Sequence, residues 1–121
     1  MIQEPKARVF DLEERTFKFA KRVRELARVL PKSTANIEDA KQLIRSSGSV
    51  GANYIEASEA LSKKDFILRI KISLKETKES KHWLRLLDIQ TEATIKEQAN
   101  LIQEANELAN IFGSIVKKVQ L

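Results

Sequence analysis

The sequence predicts an all-α protein that folds as an antiparallel, up-down-up-down four-helix bundle. Three observations support this prediction. Apolar residues recur at steps of three and four through four long segments, which is the period of an amphipathic helix. The chain contains only three glycines and two prolines, so few residues interrupt those segments. Each segment also opens with a side-chain oxygen followed three residues later by a carboxylate, a pattern typical of helix N-termini.

The four predicted helices cover residues 11–30, 37–60, 63–88 and 95–119. Their start signals are the pairs Asp11 with Glu14, Asn36 with Asp39, Ser62 with Asp65, and Thr94 with Glu97. Pro31 ends the first helix, because proline lacks the backbone N–H that a helix interior needs. The connections are short, so helices adjacent in the sequence are expected to pack antiparallel. At 121 residues the chain is expected to form a single domain.

The third and fourth helices carry more apolar residues than one face of a bundle core requires. On the third helix, a second apolar row consists of Leu68, Ile72, Trp83 and Leu86. On the fourth, a row of Leu101, Leu108 and Ile115 at heptad spacing widens the main stripe. Exposed apolar patches of this extent are uncommon on monomers, so these rows predict contacts between subunits. A wide intramolecular core is the alternative.

The second predicted helix contains an unusual stretch, RSSGSVGANYIEAS, at residues 45–58. Gly48 and Gly51 together cost about 2 kcal/mol of helix stability relative to alanine. Small side chains allow another helix backbone to approach closely, and tight packing is therefore the interpretation we favour. The polar residues that flank this surface are Arg45, Ser49, Asn53 and Glu56. We interpret them as structural groups near a helix interface, with a ligand-binding role for Asn53 and Glu56 as the alternative.

Positive charge is concentrated on one side of the third helix. The formal net charge of the chain is +5, and the excess lies on the first and third helices. Six basic side chains, which we call the basic stripe, fall within about 80° around the axis of the third helix. They are Lys64, Lys71, Lys75, Lys78, His82 and Arg85. Such a stripe suits a phosphate backbone, so it predicts RNA or DNA binding; the solvated face of an amphipathic helix is the alternative.

The composition disfavours an enzyme. The chain has no cysteine and a single histidine, so it lacks a thiolate site and the ligands of an ordinary zinc site. Di-metal four-helix bundles need a repeated Glu-x-x-His pair, which occurs here once, at Glu79 and His82. A glycine-rich phosphate loop is also absent from the sequence. We therefore expect no catalytic residues, no metal and no cofactor.

Hydropathy predicts a cytoplasmic protein that has no membrane partner. No run of about 18 apolar residues is present to span a bilayer. The first fifteen residues, MIQEPKARVFDLEER, contain no apolar stretch of the signal-peptide type.

Residues 42–79 carry a resemblance to a known family. The matching residues of the second helix are Gln42, Leu43, Arg45, Ser49, Val50, Ala52, Asn53 and Glu56, and those of the third are Ser62, Asp65, Phe66, Ile70, Ser73, Leu74 and Glu76. Together they resemble the signature of the 23S rRNA intervening sequence proteins. The chain departs from it at Ala57, where the family usually has glycine, and at Tyr54 and Ile55, which replace Ile-Ala. Without that glycine, the second helix is expected to continue toward Ala60.

The resemblance implies a four-helix bundle that assembles into a ring-shaped homopentamer. The biochemical role of the family is not established, but a related branch assists reverse transcriptases and binds nucleic acid through a basic surface of the pentamer. Similarity of fold does not fix function. Two functions therefore remain open: non-enzymatic binding of RNA or DNA, alone or beside a nucleic-acid-processing protein, and an oligomeric protein-interaction or structural scaffold that binds no nucleic acid.

Overall fold

The computed structural model describes residues 3–120, with side chains from residue 12 onward. Within that range the protein consists of four α-helices and has no β-strand. They are α1 (Gln3–Arg28), α2 (Thr34–Ser58), α3 (Lys63–Leu86) and α4 (Glu92–Gln120). The predicted all-α, four-helix fold is confirmed.

The helix starts differ from the predicted ones at three of four positions. α3 begins after Ser62 as predicted, and the Oγ of Ser62 accepts the N–H of Asp65 at 3.1 Å. In α2 and α4 the capping residue lies one turn earlier than predicted. Ser33 Oγ accepts the N–H of Asn36 at 3.1 Å, and Thr91 Oγ1 accepts the N–H of Thr94 at 3.2 Å. α1 begins at Gln3, so Asp11 lies inside the helix, and its side chain is outside the described residues.

The end of α2 explains why the chain tolerates Ala57 in place of glycine. α2 ends at Ser58, two residues before the predicted Ala60, and Glu59 serves as its C-cap with φ of −101°. No residue of the described chain has a positive φ. A left-handed glycine is therefore not required at this exit, and the methyl group of Ala57 is instead buried, with 2% of the residue exposed.

Neighbouring helices are antiparallel and surround a single core. α1 packs on α2, α2 on α3 and α3 on α4, and α1 closes the bundle against α4. The paired residues of α1 and α4 run in opposite directions, since Arg15 meets Glu104 whereas Arg22 meets Glu97. Sixteen apolar side chains form the buried core, and every helix contributes to it. The largest of them include Phe19, Leu43, Ile70, Leu84 and Phe112.

The wide apolar surface of α4 belongs to this core. Leu101 and Leu108 are completely buried within one chain, and Ile115 packs against the core from its edge. Leu101 and Leu108 therefore belong to a wide intramolecular core, the alternative interpretation, and are not available for the predicted subunit contact, whereas Ile115 is only partly buried.

The glycine-rich stretch lies where α2 meets two helices at close range. A Cβ atom placed on Gly51 would lie 2.9 Å from Thr16 Oγ1 and 3.3 Å from Thr16 Cβ, and Thr16 is itself buried on α1. On the other side of α2, Ser46 Oγ lies 2.8 Å from Ser80 Oγ of α3. Ser73 Oγ of α3 donates to the carbonyl of Val50 at 2.9 Å. Small side chains thus bring the α2 backbone close to both α1 and α3.

This geometry predicts opposite effects for two glycine substitutions. We expect Gly51→Ala to lower the free energy of unfolding by about 1 kcal/mol, because overpacking against Thr16 outweighs the gain in helix propensity. Gly113→Ala is the matched control, since no atom lies within 4 Å of its added Cβ. It should raise that free energy by up to about 1 kcal/mol. Urea midpoints provide the measurement, and stabilisation by both substitutions would contradict the close approach at Gly51.

Candidate nucleic-acid interface

The basic stripe occupies the outer surface of α3. All six of its side chains, from Lys64 to Arg85, are exposed. None of the six forms an ion pair with a residue in the described part of the chain. The spacing predicted one face, and the helix places these residues on one face that points away from the core. The charges of its four lysines and of Arg85 are therefore available to a ligand in solution.

The acidic residues of α3 lie on the flank that faces α2. Glu76 accepts a hydrogen bond from Arg45 Nη1 of α2 at 3.3 Å, and Glu79 forms an ion pair with Arg45 Nη2. Asp65 Oδ1 lies 4.0 Å from Arg69 Nε. These are the three acidic residues of α3, and each has a cationic partner on that flank. α3 is thus electrically polarised, with ion-paired carboxylates beside α2 and cations without ion pairs along the stripe, of which Lys75 interacts electrostatically with Glu79.

Glu79 is held in its ionised form. Its carboxylate accepts a hydrogen bond from the indole Nε1 of Trp83 at 3.1 Å and is paired with Arg45. The hydrogen bond from Trp83, followed by that from Arg45, lowers the pKa of Glu79 below its usual range. The hydrogen bond to Glu79 likewise raises the pKa of Arg45. The two charges compensate each other, so Arg45 adds little to the positive surface.

Two of the basic side chains of α1 form ion pairs inside the bundle. Arg15 donates two hydrogen bonds to Glu104, at 3.0 and 2.7 Å, and one to Glu107 at 3.1 Å. Arg22 donates two to Glu97, both at 2.9 Å. Bidentate pairs of this kind hold α1 and α4 in a fixed register. Among the described side chains, the larger set of cations without ion pairs is on α3.

The polar residues flanking the glycines separate into two groups. Asn53 Nδ2 donates to the carbonyl of Ser49 at 2.9 Å and to its Oγ at 3.0 Å. Asn53 Oδ1 accepts a hydrogen bond from Arg69 Nη1 of α3 at 3.3 Å. The side chains of Arg45, Ser49 and Asn53 thus all form hydrogen bonds within α2 or between α2 and α3. Glu56 is exposed, and its side chain makes no hydrogen bond or ion pair with the described residues.

The second apolar row of α3 is only partly available at the surface. Leu68 and Leu86 are 53% and 48% exposed. Ile72 is half-buried, and Trp83 packs against the core while its ring meets the edge of His82 at a centroid distance of 4.9 Å. Leu68 and Leu86 are therefore the members of the row that offer an apolar contact to another molecule.

A second apolar surface, between α1 and α2, was not predicted from the sequence. It is a groove of about 440 Å³ whose floor includes Gly51 and Ala52. Phe17 and Ile55 project over it, 59% and 49% exposed, and Glu13 lies on its rim. On their helices, Phe17 and Ile55 lie beside the row of apolar residues that faces the core, and not within it. This offset is the sequence signal that could have predicted the groove.

Two other classes of site are absent from the described residues. No group of three or more histidine, aspartate or glutamate side chains in this part of the chain is placed to hold a metal ion. None of the helices described here has the length and apolar character required to cross a membrane.

Fold and surface together define a four-helix bundle with one electrically polarised helix. The chain belongs to the 23S rRNA-intervening sequence protein family, whose model matches residues 9–114. The resemblance noted in α2 and α3 is thereby confirmed. A similar solved structure, from Bacteroides thetaiotaomicron VPI-5482, is described as a protein with unknown function from the S23 ribosomal protein family. It is 30% identical, with a TM-score of 0.79, and the match covers 90% of this chain and 97% of that chain. No curated protein matches the chain.

Proposed function

We propose that this protein is a non-enzymatic, cytoplasmic RNA- or DNA-binding bundle that contacts the phosphate backbone through the basic stripe of α3. The observation that carries the proposal is the segregation of charge on α3. Its carboxylates form ion pairs on the side of α2, whereas its exposed cations form no ion pair in the described chain, and among them Lys75 interacts electrostatically with Glu79. An ordinary solvated face would be expected to mix both signs.

The chemistry of the stripe favours binding without sequence preference along most of its length. Lysines that neutralise phosphates release condensed counterions, so the affinity falls steeply as salt rises. Aromatic side chains suited to base stacking are scarce beside the stripe, because Trp83 packs against the core and its N–H is bonded to Glu79. The partner we propose is therefore RNA or DNA, alone or held by a nucleic-acid-processing protein.

We also propose that copies of the chain associate, as a ring of the homopentameric kind that the family resemblance implied. Support comes from two complementary surfaces of one chain. The groove between α1 and α2 combines exposed Phe17 and Ile55 with acidic Glu13. Leu68 of α3 lies between the exposed cations Lys64 and Lys71. A contact between unlike surfaces can close into a ring, and a ring would repeat the stripe and increase avidity.

The same apolar surfaces favour the second candidate function, a protein-interaction scaffold that binds no nucleic acid. Light scattering of the purified protein, with and without a pool of RNA and DNA, at about 50 and 200 mM salt distinguishes the two, because phosphate contacts weaken steeply over this interval. Nucleic-acid binding predicts an oligomer that gains mass at the lower salt and loses the gain at the higher. An oligomer inert at both concentrations would favour the scaffold, and a monomer would contradict the proposed ring.

A further inference from the structure

A polar groove lies between α3 and α4, directly beside the basic stripe. Its volume is about 570 Å³, within the range of small-molecule sites. Two lysines of α3, Lys78 and Lys81, line one wall, and two asparagines of α4, Asn106 and Asn110, line the other. Lys78 also belongs to the basic stripe, so the groove and the stripe form one continuous surface.

The floor of the groove is closed and carries little polar character. Thr77 and Ala105 contribute to it and are 0% and 1% exposed. The hydroxyl of Thr77 donates to the carbonyl of Ser73 at 2.7 Å, so its proton is already used. A ligand in the groove therefore contacts its walls, since these two buried residues expose almost no surface.

The walls, by contrast, carry polar groups that the protein does not use. Within the described chain, the side-chain amides of Asn106 and Asn110 form no hydrogen bond, and Lys78 and Lys81 form no ion pair. The nearby amide of Gln103 differs, since it donates to Glu107 at 3.0 Å. Asn106 and Asn110 are four residues apart, so their amides lie on one face of α4. Two cations therefore oppose two amides across the groove.

We infer that this groove holds one adenine nucleotide, with its phosphate at Lys78 and Lys81 and its base edge at Asn106 and Asn110. An asparagine amide is both donor and acceptor, and it matches the N6 and N7 edge of adenine in a bidentate pair. The inference rests on the proposed function, because a strand that follows the stripe passes the rim of the groove at Lys78. The groove adds a local base preference to an otherwise sequence-independent contact.

The test compares wild type with the double variant Asn106→Ala/Asn110→Ala. Fluorescence anisotropy at about 50 mM salt measures binding to labelled oligoadenylate and oligouridylate RNA of equal length. We expect wild type to prefer oligoadenylate by about tenfold, the discrimination of a single good bidentate contact. The double variant should lose this preference, while its affinity for oligouridylate and the salt dependence of that affinity stay unchanged. Asn100→Ala, an exposed substitution on α4 outside the groove, is the matched control and should retain the preference.

Two results would overturn the inference: equal affinity of wild type for both oligonucleotides, or a preference that survives in the double variant. A second arm uses free adenosine monophosphate and follows amide chemical shifts of the groove by NMR. One outcome is that wild type binds free adenosine monophosphate but no oligonucleotide, and that the double variant binds neither. That result would contradict the proposed function yet place a free-nucleotide site in the groove. Absence of groove-dependent binding in both arms rejects the site.

Discussion

Reversal of three charges in the middle of the basic stripe, Lys71→Glu, Lys75→Glu and Lys78→Glu, is expected to abolish the binding of RNA and DNA. All three side chains are exposed on α3 and form no ion pair with the described residues. Their replacement removes no packing that the core depends on. The fold should therefore persist, which far-ultraviolet circular dichroism will show. Because Lys71→Glu also removes a cation from the proposed subunit contact, light scattering separates a change in oligomer mass from the loss of phosphate contacts.

The expected size of this effect follows from the phosphate contacts. An exposed ion pair contributes up to about 1 kcal/mol, so three lost pairs amount to about 3 kcal/mol, or roughly a hundredfold in the dissociation constant. Repulsion between the new carboxylates and phosphates increases the loss. For duplex DNA, the slope of log affinity against log salt should also decrease by about 0.9 for each phosphate contact removed. Binding titrations at several salt concentrations measure both quantities.

A matched control separates a local site from the effect of net charge. Lys18, Lys21 and Arg28 are exposed on α1, which makes no contact with α3 in the described chain. Each reversal changes the net charge by two units, so both triple variants change the formal charge from +5 to −1. Reversal on α1 should leave most of the binding intact. Equal losses in the two variants, or unchanged affinity in the α3 variant, would contradict the assignment to the stripe.

Local sequence patterns were sufficient to predict the helices and the exposed stripe, because both depend on residues three and four positions apart. The start of α3 at Ser62 was correct for the same reason. Asn36 and Thr94 were misassigned because each is followed three residues later by a carboxylate, whereas the actual capping residues, Ser33 and Thr91, are not. The presence of that carboxylate therefore did not identify the capping residue in these two helices.

Those local patterns could not predict contacts between helices. Arg15 is 89 residues from Glu104 in the chain, and no periodicity within α1 indicates that this arginine compensates an acid on α4. The distribution of positive charge was therefore only half predicted. The groove between α3 and α4 escaped prediction for the same reason, since its lysines and its asparagines come from different helices.

Asn36 is the residue whose role changes most between sequence and structure, and its substitution is expected to destabilise the fold strongly. It is 1% exposed. Its Nδ2 donates to the carbonyls of Pro31 and Asp88, both at 3.0 Å, and its Oδ1 accepts the N–H of Asp88 at 2.9 Å. One side chain thus links the α1–α2 connection to the α3–α4 connection at the same end of the bundle.

Asn36→Ala should lower the free energy of unfolding by about 3 kcal/mol, since the loss of a partner for a buried polar group costs about 1–3 kcal/mol and three backbone groups lose theirs. For a domain of this size, that corresponds to a fall in Tm on the order of 10 °C. Thermal unfolding at fixed protein concentration measures it. Asn100→Ala, at an exposed position of α4, should change Tm by no more than about 2 °C. A similar small shift for Asn36→Ala would show that water replaces the lost bonds.

Asn36→Asp tests the donor of this link separately from its shape. The carboxylate keeps the acceptor for the N–H of Asp88 but turns a negative oxygen toward the carbonyls of Pro31 and Asp88. Burial beside two carbonyls raises the pKa of the new carboxyl group in the folded state above its unfolded value. The folded protein then binds the additional proton, so stability relative to wild type falls as pH rises between those two pKa values and recovers as pH falls. We therefore expect a smaller deficit in Tm at pH 4 than at pH 7. The absence of a deficit at both pH values would mean that the acceptor and the side-chain shape, rather than the two donated hydrogen bonds, hold the connections together.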